Sequence, residues 1–193
     1  MKKIAVVLRG HKRTWDLSKE HMFKFFEQMG CQIDYYVSLW NTPGVDRNQL
    51  NLDFANRNLK VLLITEPSAE YITPWLGPAY LSSLVSKYIF EEEYLSQEPY
   101  DMIVDTRPDV AFEWLPHRKK MFCPKMAVGT TRVEPVALDN GAGTLWQGLD
   151  DHCFIMDSIT HVIWSQRFRF THELQNQRPL PCGNHSMLWE YAK

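Results

Sequence analysis

The chain opens on five consecutive apolar residues, Ile4-Ala-Val-Val-Leu8, and this run predicts a buried parallel strand. Arg9-Gly10-His11 then reads as the loop leaving it. Thr14 stands where a helix N-cap belongs, with Asp16 in the first turn. Trp15, Met22, Phe25, Phe26 and Met29 recur at helical spacing, and Gly30 follows as a stop. Ile33 to Leu39 reads as a second strand, which completes a βαβ unit.

The pattern continues as alternating strands and helices. A helix is expected over Asp46 to Asn56, a strand over Leu59 to Ile64, and a long helix over Pro78 to Leu95. Leu81, Leu84, Val85, Tyr88 and Leu95 form the apolar face of that helix, and Glu91-Glu-Glu93 reads as a solvated stretch. A strand at Met102 to Val104 follows. Short strands are expected at Val110 to Phe112, Met126 to Val128 and His152 to Met156, with a long polar loop from Gly129 to Gly148. Asp157 or Ser158 caps a helix running to about Leu174, and Asn184 to Ala192 closes the chain as another. The expectation is one domain, residues 1–193, with an α/β/α sandwich and a mixed, mainly parallel central sheet.

Composition narrows the function classes. The chain is 45% hydrophobic and 13% aromatic, which argues for a packed globular protein and against disorder. A net charge of −2 gives no general reason to expect nucleic acid. The compact basic run His117-Arg-Lys-Lys120 reads as a solvated loop, with a phosphate or anionic-membrane contact as the minority reading. Cys31, Cys123, Cys153 and Cys182 form no CxxC pair, which argues against zinc; reduced thiols and a cytoplasmic location are expected. No segment approaches a membrane span in length.

Candidate chemistry concentrates in Tyr100-Asp-Met-Ile-Val-Asp-Thr-Arg-Pro-Asp109. Asp105, Arg107 and Asp109 alternate at a strand end, a pattern that suits either a divalent cation carrying a phosphate or a structural ion pair. Arg9, Gly10 and Arg13, between strand and helix, suit an anion, or merely a solvated basic loop. Trp40 either stacks on a base or a sugar or packs against a helix. Asp150 and Asp151, before the late strand, are candidates for a base, for acceptor binding, for a second contact to the metal or for a turn cap, and His152 is either a base or a structural residue at the strand start. His185 and Glu190 are weaker candidates, and no Ser-His-Asp or Cys-His arrangement can be assembled from spacing.

Taken in order, three motifs carry a family resemblance. These are Asp34 to Asn41 ending in Leu-Trp-Asn, Tyr100 to Asp109 ending in Arg-Pro-Asp, and Asp150-Asp-x-x-Phe-Ile155. They resemble the GT-A-fold glycosyltransferase-like proteins of polysaccharide and lipopolysaccharide synthesis, including the WavE type, and small viral glycosyltransferases. The resemblance implies a nucleotide-sugar donor at the carboxyl ends of the first strands, bound by Arg9, Gly10, Arg13, Trp40 and Arg107. It implies Mn²⁺ or Mg²⁺ at Asp105 and Asp109, spread wider than a strict Asp-x-Asp. It implies transfer of a sugar to a glycan or lipid-linked acceptor, with Asp151 or Asp150 on the acceptor side and peripheral membrane contact allowed. Two other readings stay open. One is a metal-dependent nucleotidyltransferase. The other is a catalytically degenerate relative that binds a glycan or protein, because Gly183-Asn-His-Ser186 stands where relatives carry a glutamate.

Overall fold

The computed structural model describes residues 2–68, 76–110, 126–128 and 153–166. In chain order the elements are β1 (Lys3–Gly10), α1 (Trp15–Glu27), β2 (Gln32–Trp40), α2 (Arg47–Asp53), β3 (Asn58–Thr65), α3 (Leu76–Ser96), β4 (Met102–Thr106), β5 (Met126–Val128), β6 (Cys153–Met156) and α4 (Ser158–Ser165). The strands form one sheet in the order β3-β2-β1-β4-β6-β5. The first four are mutually parallel, and β6 runs antiparallel to both of its neighbours. This is the expected α/β architecture with a mixed, mostly parallel sheet.

Period-two alternation in the buried strands sorts side chains to two faces. Ile4, Val6 and Leu8 join Trp15, Met22, Phe23 and Phe26 of α1 in one core. Ala5 and Val7 join Val85 and Ile89 of α3 and Trp164 of α4 in the other. Both strand faces are therefore covered, as a parallel sheet requires. On the α1 side the aromatics interlock: Trp15 stacks on Phe54 at 5.6 Å, and Phe23 meets both rings edge-on. Each such pair contributes about 0.5–1.5 kcal/mol beyond area burial.

Polar residues fix the helix ends and the rim of the sheet. Asp46 Oδ1 caps α2 by accepting from Asn48 N and Gln49 N, and Asp157 Oδ1 caps α4 by accepting from Thr160 N. Asp53, at the end of α2, accepts from Trp15 Nε1 at 2.8 Å and from Lys19 Nζ at 2.7 Å, which ties α2 to α1. At the amino edge of the sheet the Tyr100 hydroxyl donates to the fully buried Asp34 at 2.6 Å, and Asn58 Nδ2 donates to the same carboxylate. Burial, with that hydrogen bond second, pushes the Tyr100 pKa far above the ordinary phenol value. Two residues of the recognised motifs thus hold strand starts together, at the opposite end from Asp109.

Three expectations need correction. β1 does not end at Leu8 but runs through Gly10, so Arg9 belongs to the strand and not to a loop. In α3, Leu95 is 80% exposed, whereas Ser82 and Ser86 lie in the buried line with Leu81, Val85 and Ile89. α1 ends at Glu27, before Met29. Val110 is described and lies in no strand; residues 111–112 of that expected strand, the loop over 129–148, the helix beyond residue 166 and the closing helix fall outside the described residues, as do His185 and Glu190.

Candidate functional site

Strand order reverses between β1 and β4. From β1 the chain crosses by α1 to β2 on one side, and from β3 it returns by α3 to β4 on the other. In open α/β sheets the crevice outside the carboxyl ends of two such strands is where ligands bind. Register places Leu8 opposite Thr106, so the Gly10–Thr14 and Arg107–Asp109 segments leave the sheet side by side. Ser18 Oγ of α1 donates to the Pro108 carbonyl at 2.6 Å and secures the two segments to each other.

Arg9, expected to bind the donor, and Asp105, expected to hold a metal, lie beneath this crevice and not in it, paired with each other. Both side chains are 0% exposed, and Arg9 Nε donates to Asp105 Oδ1 at 2.7 Å. Asp105 Oδ2 accepts from Ser82 Oγ at 2.7 Å and lies 3.2 Å from His161 Nε2. A carboxylate only accepts, so the His161 bond places the imidazole proton on Nε2. His161 Nδ1 lies 3.4 Å from Ser86 Oγ, which in turn is 2.8 Å from Ser165 Oγ. The result is an Asp105–His161–Ser86 chain that spacing did not disclose. It is no hydrolytic triad, because Asp105 and His161 are wholly buried, Ser86 is 4% exposed, and the carboxylate is committed to a guanidinium. It clamps α3 and α4 to β1 and β4. Ser82 and Ser86, four residues apart on the apolar line of α3, are the sequence signal for it.

The accessible part of the crevice is a basic cluster around one carboxylate. Arg107 grips Asp109 with both Nε (2.8 Å) and Nη2 (2.5 Å), and Arg13 Nη1 adds a third contact at 3.2 Å. Burial pushes the Asp109 pKa up, but the hydrogen bonds and charge of Arg107, then of Arg13, outweigh it and hold the carboxyl below its usual range. Burial, then repulsion by Arg13 and Arg107, lowers the His11 pKa, and Asp109 opposes them. Lys12 bridges Asp16 and the Gly44 carbonyl.

The backbone here is bent to suit. Gly10 has φ +122°, which an L side chain rarely adopts, and Arg13 has φ +40°. A non-glycine residue in that region stores about 1–3 kcal/mol and is found where surrounding structure imposes it. Thr14 holds the N-cap position of α1 but, contrary to expectation, its side chain makes no capping hydrogen bond.

The remaining expected residues divide. Trp40 is 2% exposed and stacks on Tyr80 of α3 at 5.9 Å, so the helix-packing alternative is the arrangement observed. Asn41 donates to Glu66. Asp150, Asp151, His152 and the 117–120 basic run lie outside the described residues. For the divalent cation the fit is poor. Asp105 is buried against Arg9, Asp109 is enclosed by two guanidiniums, and no group of three or more His, Cys, Asp or Glu among the described residues could hold a metal. No described helix is long and apolar enough to cross a membrane. No protein-family model matches the chain, and a search of curated proteins finds no match.

Proposed function

We propose that the chain is a nucleotide-sugar-dependent glycosyltransferase whose donor diphosphate lies over the β1–β4 switch point. The observation that carries this reading is the convergence of His11, Arg13, Arg107 and Asp109 where strand order reverses. A crevice at that position suits a nucleotide, and paired guanidiniums suit phosphate oxygens. The motif resemblance supplies the sugar.

In this reading the guanidiniums of Arg13 and Arg107 meet the diphosphate and stabilise the charge that develops as it departs. Fixed donors aimed at developing charge are a large catalytic term. β6 begins at Cys153, paired with Thr106, so the chain re-enters the sheet at the edge where β4 leaves it. Asp151 and Asp150 precede Cys153 by two and three residues, and Asp151 is assigned the acceptor side, removing the proton of the attacking hydroxyl. Asp105 takes no part in the chemistry; it is the buried counter-ion of Arg9. The acceptor is a glycan or a lipid-linked glycan, and the site of action is cytoplasmic.

The committed carboxylates also favour a second reading, a degenerate relative that binds without turnover. The test incubates the full chain with UDP-, GDP- and CMP-sugars and measures nucleotide release and melting temperature. Thermal stabilisation with turnover by one donor supports the enzyme, and stabilisation without turnover supports the binding relative. No shift with any donor sinks the enzyme reading.

A further inference from the structure

The charges at the switch point select an anion over a cation. Of the two carboxylates expected to hold a metal, Asp105 has no exposed surface, and Asp109 stands against two arginines. An oxygen-seeking cation there would displace guanidiniums from a carboxylate and then sit among them. A phosphate would meet the same groups with attraction. The guanidinium fork accepts carboxylate and phosphate in one bidentate geometry, and the Arg107–Asp109 pair already displays it.

We propose that this edge binds a diphosphate directly, without a divalent cation, and that Asp109 is its internal stand-in. In the free protein the Asp109 carboxylate occupies Nε and Nη2 of Arg107 and one nitrogen of Arg13. An incoming diphosphate replaces it on those nitrogens. Exposure suits the exchange: the Arg13 side chain is 52% exposed, Arg107 21% and Asp109 14%, so a ligand reaches the pair from solvent without opening the core. The left-handed backbone at Arg13 is imposed on the residue that contributes the outer guanidinium. The inference rests on the donor-diphosphate reading and deepens it: Asp109 competes with the ligand, and the site works in chelator.

The two assignments predict opposite signs for one substitution. A metal ligand helps a diphosphate bind, and its loss weakens binding. A competing carboxylate hinders it, and its loss tightens binding. The experiment is calorimetric titration of the full chain with inorganic pyrophosphate in EDTA. Binding is expected, and Asp109→Asn is expected to tighten it about threefold, the scale of one partly exposed ion pair. Arg107→Gln is expected to weaken it about tenfold, through loss of a charge-assisted bidentate contact.

Melting of each ligand-free variant separates folding from binding. A folded Asp109→Asn variant that binds pyrophosphate more weakly overturns the proposal, as does wild-type binding that appears only on adding Mn²⁺. If Asp109→Asn does not fold, Arg13→Gln at the exposed guanidinium decides: weaker binding in EDTA supports the proposal, and unchanged affinity overturns it. The two readings also fail separately. Pyrophosphate binding in EDTA without binding of any nucleotide-sugar spares this inference and sinks the glycosyltransferase. Nucleotide-sugar turnover that requires Mn²⁺ does the reverse.

Discussion

Arg9 Nε and Asp105 Oδ1 lie 2.7 Å apart, and neither side chain has any exposed surface. The two residues are separated by 96 positions in the chain and sit on neighbouring strands, facing α3. Removing one partner leaves an uncompensated buried charge, which costs about 3–5 kcal/mol. Asp105→Asn and Arg9→Met are each expected to destabilise on that scale. The double variant is expected to lose clearly less than the sum of the two. Urea unfolding of the four proteins in a double-mutant cycle measures the coupling; additive losses would contradict the pairing.

Arg13 combines a left-handed backbone with the guanidinium proposed to meet the diphosphate. Glycine tolerates φ +40°, so Arg13→Gly relieves strain while loosening the unfolded chain, and the net stability change is expected to stay within about 1 kcal/mol. Pyrophosphate affinity is expected to fall in the same variant. A large stability loss would show that the exposed guanidinium has a structural role beyond its contact with Asp109.

Asp53 and Lys19 set pH limits on the α1–α2 contact. Burial pushes Asp53 up, but hydrogen bonds from Lys19, Trp15 and Gln49 bring its pKa below the ordinary value. The unfolded chain therefore takes the proton first. The stabilisation is present above the unfolded carboxylate pKa of about 4, and is lost as pH falls through the depressed folded value. The hydrogen bond to Asp53 raises the Lys19 pKa, so its share is present below the unfolded lysine value and is lost as pH rises through the folded one. As pH is lowered from 5 to 2.5, denaturant midpoints should fall less steeply in Asp53→Asn than in the wild type.

His11 should report anion binding through proton uptake. Burial and the positive charges of Arg13 and Arg107 hold its pKa down in the free protein. A bound diphosphate offsets those charges and raises it. Near pH 6.5, pyrophosphate binding is therefore expected to take up protons, read as a dependence of calorimetric enthalpy on buffer ionisation. His11→Asn should reduce the uptake to that of the ligand's own titration. Equal uptake in both proteins would place His11 outside the site.

Much of the sheet was legible in the sequence. Ile4 to Leu8 announced a parallel strand and Met102 to Val104 a buried one because their runs are continuously apolar, and Ile33 to Leu39 announced a strand although Asp34 and Ser38 interrupt one of its faces. Asp46 and Asp157 announced helix starts because a short acidic side chain reaches backbone N–H groups there. The end of β1 was not legible, since Arg9 carries a charge that a buried strand accepts only beside an opposite one. That partner is supplied by β4, and the clamp on it by Ser82 and His161, none of them local. The same blindness applies to Asp105: its spacing from Asp109 suggests shared duty, but β4 ends at Thr106, so Asp105 lies buried under α3 while Asp109 lies beyond the strand, in the crevice. Trp40 was undecidable for the same reason, because only tertiary packing shows that Tyr80 covers its ring.

Gly10 makes a demand of handedness, not of size. A methyl group added there would touch nothing within 4 Å, yet φ +122° is poorly suited to an L residue. The obstacle to an L side chain is the backbone conformation and not the space around it. Gly10→Ala should therefore strain the exit of β1 even though the added methyl has room. Since Arg9 is anchored in the core immediately before this turn, that strain cannot dissipate backward into the strand and must move His11 and Arg13 instead.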